Sequence, residues 1–213
     1  MLFCYSKIDI IVKSVVKNPI ASRFEEYKII LGSGSSRRKE LLEASGLVFD
    51  VVIKDHREEI PLGLHGHEIA IAISQQKAEA YKPINDDKVI VITADTIVLY
   101  RGEVLGKPSD RNDAIAMIEK LSGKTHHVVT GVTLLSSKGE ISFHETTEVS
   151  FERMTDDMIC YYVDTYKPYD KAGAYGIQEW IGTVACSKVK GSYMNVIGMP
   201  VERVLHELEK FIK

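Results

Sequence analysis

The chain is short of cysteine, of net charge and of long apolar runs, and each shortage excludes a class of protein. Its three cysteines, Cys4, Cys160 and Cys186, are odd in number, far apart and in no C-x-x-C arrangement. That removes a disulfide framework and a cysteine zinc site, and it fits a reduced, cytoplasmic compartment. A net charge of -3, with 27% charged residues of both signs, gives no bulk positive field, so no nucleic acid polymer and no membrane surface is expected as a partner. Any bound anion must be met by a local cluster. No apolar run reaches the roughly 18 residues of a membrane span. Lys7, Asp9, Lys13 and Lys17 interrupt what would have to be a signal sequence. The protein therefore reads as soluble and unexported. His65-Gly66-His67 and His126-His127 fall short of a metal motif.

What is present is enough for one sizeable domain: 213 residues at 45% hydrophobic composition. Residues 1 to 27 differ from the rest. Ile8, Ile11, Val12, Val15 and Val16 fall at helical spacing there, as in an amphipathic arm or a frayed, non-catalytic extension. From Tyr27 onward apolar strands alternate with helices: "KIILGS", a helix over about Ser36 to Ala44, strand "LVFDVVIK", a helix over about Gly66 to Tyr81, then "KVIVITADTIVLY". Ala114, Met117, Ile118 and Leu121 mark another helix. "HHVVTGVTLL" and "ISFHETTEVSF" form a hairpin through Ser137-Lys138-Gly139. A helix over about Thr155 to Tyr166, an irregular glycine-rich region from Lys171 to Gly198, and a last helix from Pro200 complete the chain. The expected fold class is α/β with a mixed sheet.

The chemistry concentrates in a few stretches. Gly32-Ser33-Gly34-Ser35 sits between a strand and a helix, where free N–H groups, hydroxyls and the helix dipole suit an anion. Arg37 and Arg38 follow with guanidiniums able to take phosphate oxygens bidentately. It is not a Walker A loop, because G-x-x-x-x-G-K-[ST] is absent. Asp95 interrupts an apolar strand between Thr93 and Thr96; a carboxylate there needs a cation or another polar partner, and can also activate water. Lys107, in "LGKPSD", and Lys77, on a helix whose Ile69, Ala72, Ile73 and Ala80 face inward, are either phosphate contacts or plain surface lysines. Asp55, Glu58 and Glu59 offer carboxylates for a metal or form a solvated loop. "YDKAGAYGIQEWIG" interleaves glycines with aromatics, as the wall of a base pocket would, and Gln178 carries an amide able to read a base edge.

Together these stretches resemble the Maf family of nucleoside triphosphate pyrophosphatases. The S-x-S-x-R-R signature appears as Ser33, Ser35, Arg37 and Arg38, A-D-T as Ala94-Asp95-Thr96, and G-K-P as Gly106-Lys107-Pro108. D-K-A-G-x-Y-G-I-Q runs from Asp170 to Gln178, and G-S-Y-x-N-V-x-G-x-P from Gly191 to Pro200. The resemblance covers about Ile29 to the C-terminus. It implies an extension over 1–27 and a Maf-like domain over 28–213, with an elongated central mixed sheet, flanking helices and two lobes around a cleft, related to ITPase folds, usually in a homodimer. It implies hydrolysis of the α–β phosphoanhydride of a nucleoside triphosphate with a divalent metal cation, magnesium or alternatively manganese. The Y-G-I-Q segment is similar to the subgroup acting on dTTP, UTP and modified uridine nucleotides. A 7-methyl-GTP pyrophosphatase and a nucleotide-binding regulator of cell division are the alternatives. Carried over, Asp95, Lys77 and Lys107 are the catalytic residues, and Ser33, Ser35, Arg37, Arg38, Thr96 and Gln178 bind substrate. Asp95 and Glu58 are the metal positions, with Glu59 as the alternative to Glu58.

Overall fold

The apolar run around Asp95 forms a 12-residue strand, β3 (Val89–Tyr100), and the rest of the molecule is arranged along its length. The structure is a computed structural model that describes residues 18–55, 59 and 63–213. The helical spacing between Ile8 and Val16, and Glu58, lie outside the described residues. One edge of β3 pairs antiparallel with β5 (Thr125–Ser136) from Val91 to Leu99. β5 turns through Ser137-Lys138 into β6 (Gly139–Phe151). The other edge has two different partners. β1 (Lys28–Leu31) runs parallel to Val89–Ile92, and β4 (Glu103–Leu105) folds back on Val98–Tyr100. The β3–β4 turn puts Arg101 and Gly102 at φ 51° and 83°, the positive values that suit the twist of a two-residue hairpin. Between β1 and β4, from Thr93 to Ile97, this edge of β3 has no strand partner among the described residues. β2 (Asp50–Val51), parallel to β1, and β7 (Cys186–Lys190), antiparallel to β6, complete a seven-stranded mixed sheet of order β2-β1-β3-β5-β6-β7.

The described helices are α1 (Pro19–Arg23), α2 (Ser36–Ala44), α3 (His67–Glu79), α4 (Arg111–Leu121), α5 (Asp156–Tyr166), α6 (Trp180–Ala185), α7 (Tyr193–Ile197) and α8 (Val201–Phe211). α3 covers one sheet face, where Ile69, Ala70 and Ile73 pack against Ile97 and Val129. It lies so close that a Cβ on Gly131 would come within 2.3 Å of the Ala70 backbone. The other face carries two separate apolar clusters. In one, Ile90, Ile92 and Ala94 meet Leu42 of α2 and Val204 and Leu208 of α8. In the other, Val98 and Val128 meet Ile118 of α4 and Ile159 and Tyr162 of α5. Each fully buried Ile or Leu stabilises by about 1.5–3 kcal/mol, so each cluster holds its own helices to the sheet. Between the clusters the strands present Thr96 and Thr130, which are cross-strand partners, and the polar strip they form is where this face opens.

Three expectations change. The strand read over "LVFDVVIK" pairs only at Asp50 and Val51. It lies at the sheet edge, where Leu47 and Phe49 pack on the first cluster while Val48 and Ile53 are exposed. The region from Lys171 to Gly198 is ordered rather than irregular, holding a 3-10 turn, α6, β7 and α7. Residues 18–27 pack onto the fold: Phe24 joins the first cluster and Arg23 pairs with Glu209.

Candidate active site

The gap in the β3 edge opens into a cleft of ≈ 430 Å³. β1 ends there: Gly32 N still donates to Ile92 O (2.8 Å), and the chain then leaves the sheet through Ser33-Gly34-Ser35 into α2. Neither Gly32 nor Gly34 has a positive φ. Gly32 is needed for space, since a Cβ would sit 2.9 Å from Thr93 and Tyr81. Ser35 caps α2, its Oγ accepting from Arg38 N at 3.4 Å.

Adjacent residues on a strand point to opposite faces, so Asp95 and Thr96 meet different surroundings. Asp95 faces α3. The inward stripe of that helix runs through Ile69, Ala70, Ile73, Ser74, Lys77 and Ala78, which places Lys77 where a core residue would be. Lys77 Nζ donates to Asp95 Oδ1 at 2.6 Å, with the two side chains only 11% and 16% exposed. A charge that deep requires a counter-charge. Thr93 Oγ1 donates to Ser74 O (2.7 Å), and Ser74 Oγ is bonded to Thr133 Oγ1 (2.8 Å), which pins the helix that delivers the lysine. Asp95 Oδ2 makes no hydrogen bond among the described residues.

The groups bonded to Thr96 itself are neutral apart from Arg38. Its guanidinium donates to Gly198 O (3.0 Å), Ser33 Oγ (3.1 Å) and Thr96 Oγ1 (3.2 Å). Thr96 is bonded to Thr130 Oγ1 (3.0 Å), which donates to Asn195 O (3.2 Å). Fully buried Asn195 donates from Nδ2 to Val128 O and Thr147 Oγ1. Arg38 thus ties the Ser33–Ser35 loop to the end of α7.

The far wall runs from Asp170 to Gln178. Arg37 Nη1 donates to Asp170 Oδ2 at 2.5 Å across the cleft mouth. Lys171 donates to Asp170 Oδ1 (2.8 Å) and pairs with Glu179 (3.1 Å), which accepts from Tyr162. Part burial raises the Asp170 carboxyl, but the hydrogen bonds from Lys171 and Arg37 outweigh it and hold the group down at about 2. Gly173 N donates to Gly106 O (2.9 Å), which fixes this wall to the Lys107 loop. Lys107 itself is exposed and makes no ion pair among the described residues. Behind the wall, Tyr175 OH is bonded to His126 Nε2 (2.7 Å). Burial, then the neighbouring His127, pushes His126 down to about 4, and burial pushes Tyr175 up.

All nine predicted side chains within the described residues line this one cleft: Asp95, Lys77 and Lys107, then Ser33, Ser35, Arg37 and Arg38, then Thr96 and Gln178. Glu58 lies outside the described residues. Glu59 is exposed, and its backbone exchanges two hydrogen bonds with the Gln76 amide. Asp170, Lys171 and Lys54 also line the cleft, although none of them is among the predicted site residues. Asp170 and Lys171 open the D-K-A-G segment, so a charged pair beside glycines is the signal that points to them; Lys54 carries none. Among the described residues no group of three or more His, Cys, Asp or Glu side chains could hold a metal by itself. A hard cation commonly takes one or two carboxylates and completes its shell with phosphates and water. The Asp95 carboxylate, with one oxygen unbonded among described residues, fits a cation held in that shared way.

A family described as Maf-like protein matches residues 28–211. The chain belongs to the Maf-like family. A dTTP/UTP pyrophosphatase of Bacteroides fragilis is 46% identical over 89% of this chain and 98% of its own. Another dTTP/UTP pyrophosphatase, from Phocaeicola vulgatus, is 48% identical over 87% of this chain and 97% of its own. A crystal structure of a nucleoside-triphosphatase / dITP/XTP pyrophosphatase from Mycobacterium abscessus covers 87% of this chain and 95% of that one, with a TM-score of 0.42 at 13% identity. The mixed sheet and split edge of this Maf-like chain stand on its own pairing. Among its described residues no helix is long and apolar enough to cross a membrane.

Proposed function

We propose that this Maf-like chain is a cytoplasmic hydrolase that cleaves the α–β phosphoanhydride of dTTP and UTP, and of modified uridine nucleotides, to the monophosphate and pyrophosphate. The observation that carries the reading is the Lys77–Asp95 pair at the floor of a cleft whose walls also carry Arg37, Arg38 and Lys107. The names of its relatives supply the base class. We further propose that the catalytic unit is the Maf-like domain over 28–213, that 1–27 is a non-catalytic extension, and that the protein works as a homodimer.

Phosphoryl transfer asks mainly for positioning and charge stabilisation. In this reading Arg37 and Lys107 take phosphate oxygens from the two walls, and Lys77 meets them from below. Ser33 and Ser35 present hydroxyls at the loop. Arg38 contributes by holding Ser33, Thr96 and Gly198 in one arrangement. Asp95 orients a water through the oxygen that Lys77 leaves to it and accepts its proton. The water oxygen bonds to the α-phosphorus while the bond to the α–β bridging oxygen breaks, and the electron pair leaves with pyrophosphate. Asp95 would also hold a divalent cation, magnesium or manganese, which when bound neutralises phosphate charge. Thr96 and Gln178 lie where the base would be read.

The test is a panel of dTTP, UTP, CTP, GTP, ATP and 7-methyl-GTP with magnesium, following pyrophosphate and orthophosphate separately. Pyrophosphate mainly from dTTP and UTP is expected. Orthophosphate release, or turnover of 7-methyl-GTP alone, overturns the assignment.

A further inference from the structure

Gln178 stands where the base would be read, and its neighbours hold it more tightly than a surface loop requires. Glu179 N donates to Gly176 O at 3.0 Å, closing a four-residue turn with Ile177 and Gln178 at its centre. Ile177 is buried and Gln178 lines the cleft. Through its side chain, the same Glu179 reaches the other polar group of Gly176. Its Oε2 accepts from Tyr162 OH, and Tyr162 OH accepts from Gly176 N at 2.9 Å. Its Oε1 pairs with Lys171 at 3.1 Å, and Lys171 is bonded to Asp170 as well. Tyr162 is fully buried on α5, and the Lys171 and Glu179 side chains are only 11% and 18% exposed. Glycine is required at 176, because a Cβ would lie 2.8 Å from the Glu179 carboxyl carbon. The wall before the turn is held against its own preference. Gly173 and Ala174 have φ of 66° and 59°, and a left-handed alanine persists only where its surroundings impose it.

We propose that Glu179 and Tyr162 are positioning residues for base discrimination: they lock the Gly176–Glu179 turn, so that the Gln178 amide meets the base already oriented. The proposal rests on the reading that Gln178 faces the base. An amide reads a base edge through a donor and an acceptor, and both must be in place. On a loose turn that amide would have to be ordered at binding, and the cost would fall on the bases that bond to it. A base that makes no bond to Gln178 gains nothing from a rigid turn. The phosphate contacts stand elsewhere in the cleft, on α2, α3 and the Lys107 loop, so the clamp bears on recognition rather than on bond cleavage. It can be worth no more than the side chain it serves.

The experiment compares wild type with Tyr162→Phe, Gln178→Ala and the double variant. It measures kcat and KM for dTTP, UTP and CTP, and calorimetry with dTMP, UMP and CMP reads the same preference without turnover. Tyr162→Phe deletes one hydroxyl and leaves the Lys171–Glu179 pair in place. It is expected to narrow the preference for dTTP and UTP over CTP by about threefold, through a raised KM for the preferred nucleotides with kcat held. The narrowing should vanish in the Gln178→Ala background, because the clamp then has no amide to present. A merely structural role would weaken all three nucleotides alike and persist in the double variant. Glu179→Ala opens the clamp from its other end, removes no helix-capping bond, and serves if the Phe variant does not fold. A preference unchanged in Tyr162→Phe, or narrowed equally with and without Gln178, overturns the proposal. A preference unchanged in Gln178→Ala overturns the base reading beneath it, so the silent variant tells the two failures apart. Hydrolysis absent from the wild type, with the binding shift intact, would sink the proposed hydrolase and leave this inference standing.

Discussion

Asp95 and Thr96 are neighbours in the chain and face different chemistry. On the α3 face a lysine and a carboxylate meet at 2.6 Å, both nearly buried. On the other face one arginine is shared among neutral oxygens of Ser33, Thr96 and Gly198. Because side chains alternate along a strand, one pleat of β3 separates a surface suited to moving charge from a surface suited to fixed geometry. Both reach the same cleft only because β1 stops at Leu31 and β4 starts pairing at Val98. A continuous partner strand along Thr93–Ile97 would have closed that edge.

The largest effect should come from the charged face. Asp95→Asn keeps size and one acceptor but removes the charge, and turnover is expected to fall by about 10²–10⁴-fold with thermal stability near that of wild type. Near-normal pyrophosphate release would remove the distinction between the faces. Gly131→Ala attacks the same face indirectly. The new Cβ meets the α3 backbone at 2.3 Å, so the helix must back away and draw Lys77 from Asp95. Overpacking of this kind costs about 1–3 kcal/mol, seen in denaturant melts together with lost activity; an unperturbed melt and rate would show that α3 has room to shift.

Much of this is legible in the sequence. The alternation of elements, the long strand with an out-of-place Asp95 and the serine-arginine loop are short-range signals, and local periodicity carries them. Lys77 is legible only in part. An inward face drawn through Ile69, Ala72, Ile73 and Ala80 passes Lys77 by, whereas the stripe that packs against the sheet is Ile69, Ala70, Ile73, Ser74, Lys77 and Ala78. The two faces differ by about a quarter turn of the helix, and a lysine on the apolar side looks like a surface residue until its carboxylate partner is placed. The Arg37–Asp170 contact is not legible, because it joins residues 133 positions apart, one in the first turn of α2 and one in a turn after α5, with no shared period. The short pairing of β2 escapes for a related reason: an apolar alternation records a strand's tendency, not whether a neighbour covers it.

The Thr96 side of the sheet should respond to pH through stability rather than through rate. His126, on the Thr96 side of the sheet, is fully buried, bonded to Tyr175, and pushed down to about 4. Its ordinary value in the unfolded chain is about 6.5, so the folded state favours the neutral ring. The associated stability is complete above pH 6.5 and is lost as pH falls from 6.5 toward 4, because the unfolded chain takes up the proton first. Between pH 7 and pH 5 this amounts to about 2 kcal/mol. Urea melts at the two pH values check it against His126→Gln, which should show the smaller difference; equal differences in the two proteins would place the pH sensitivity elsewhere.

The smallest expected effect sharpens the comparison most, because it asks whether the Thr96 side reads the base. Gln178 is exposed at the lip of the cleft, where its amide offers a donor and an acceptor together. Removing one hydrogen-bonding side chain costs about 1 kcal/mol, so Gln178→Ala should narrow the preference for dTTP and UTP over CTP by about fivefold. The loss should fall on discrimination: kcat/KM for the preferred nucleotides declines while that for CTP holds, since Asp95 and Lys77 are untouched on the opposite face. A uniform decline across all bases would mean that Gln178 supports the far wall without reading the base. An unchanged panel would shift base reading to Thr96 and the backbone around Gly198, whose geometry Arg38 fixes.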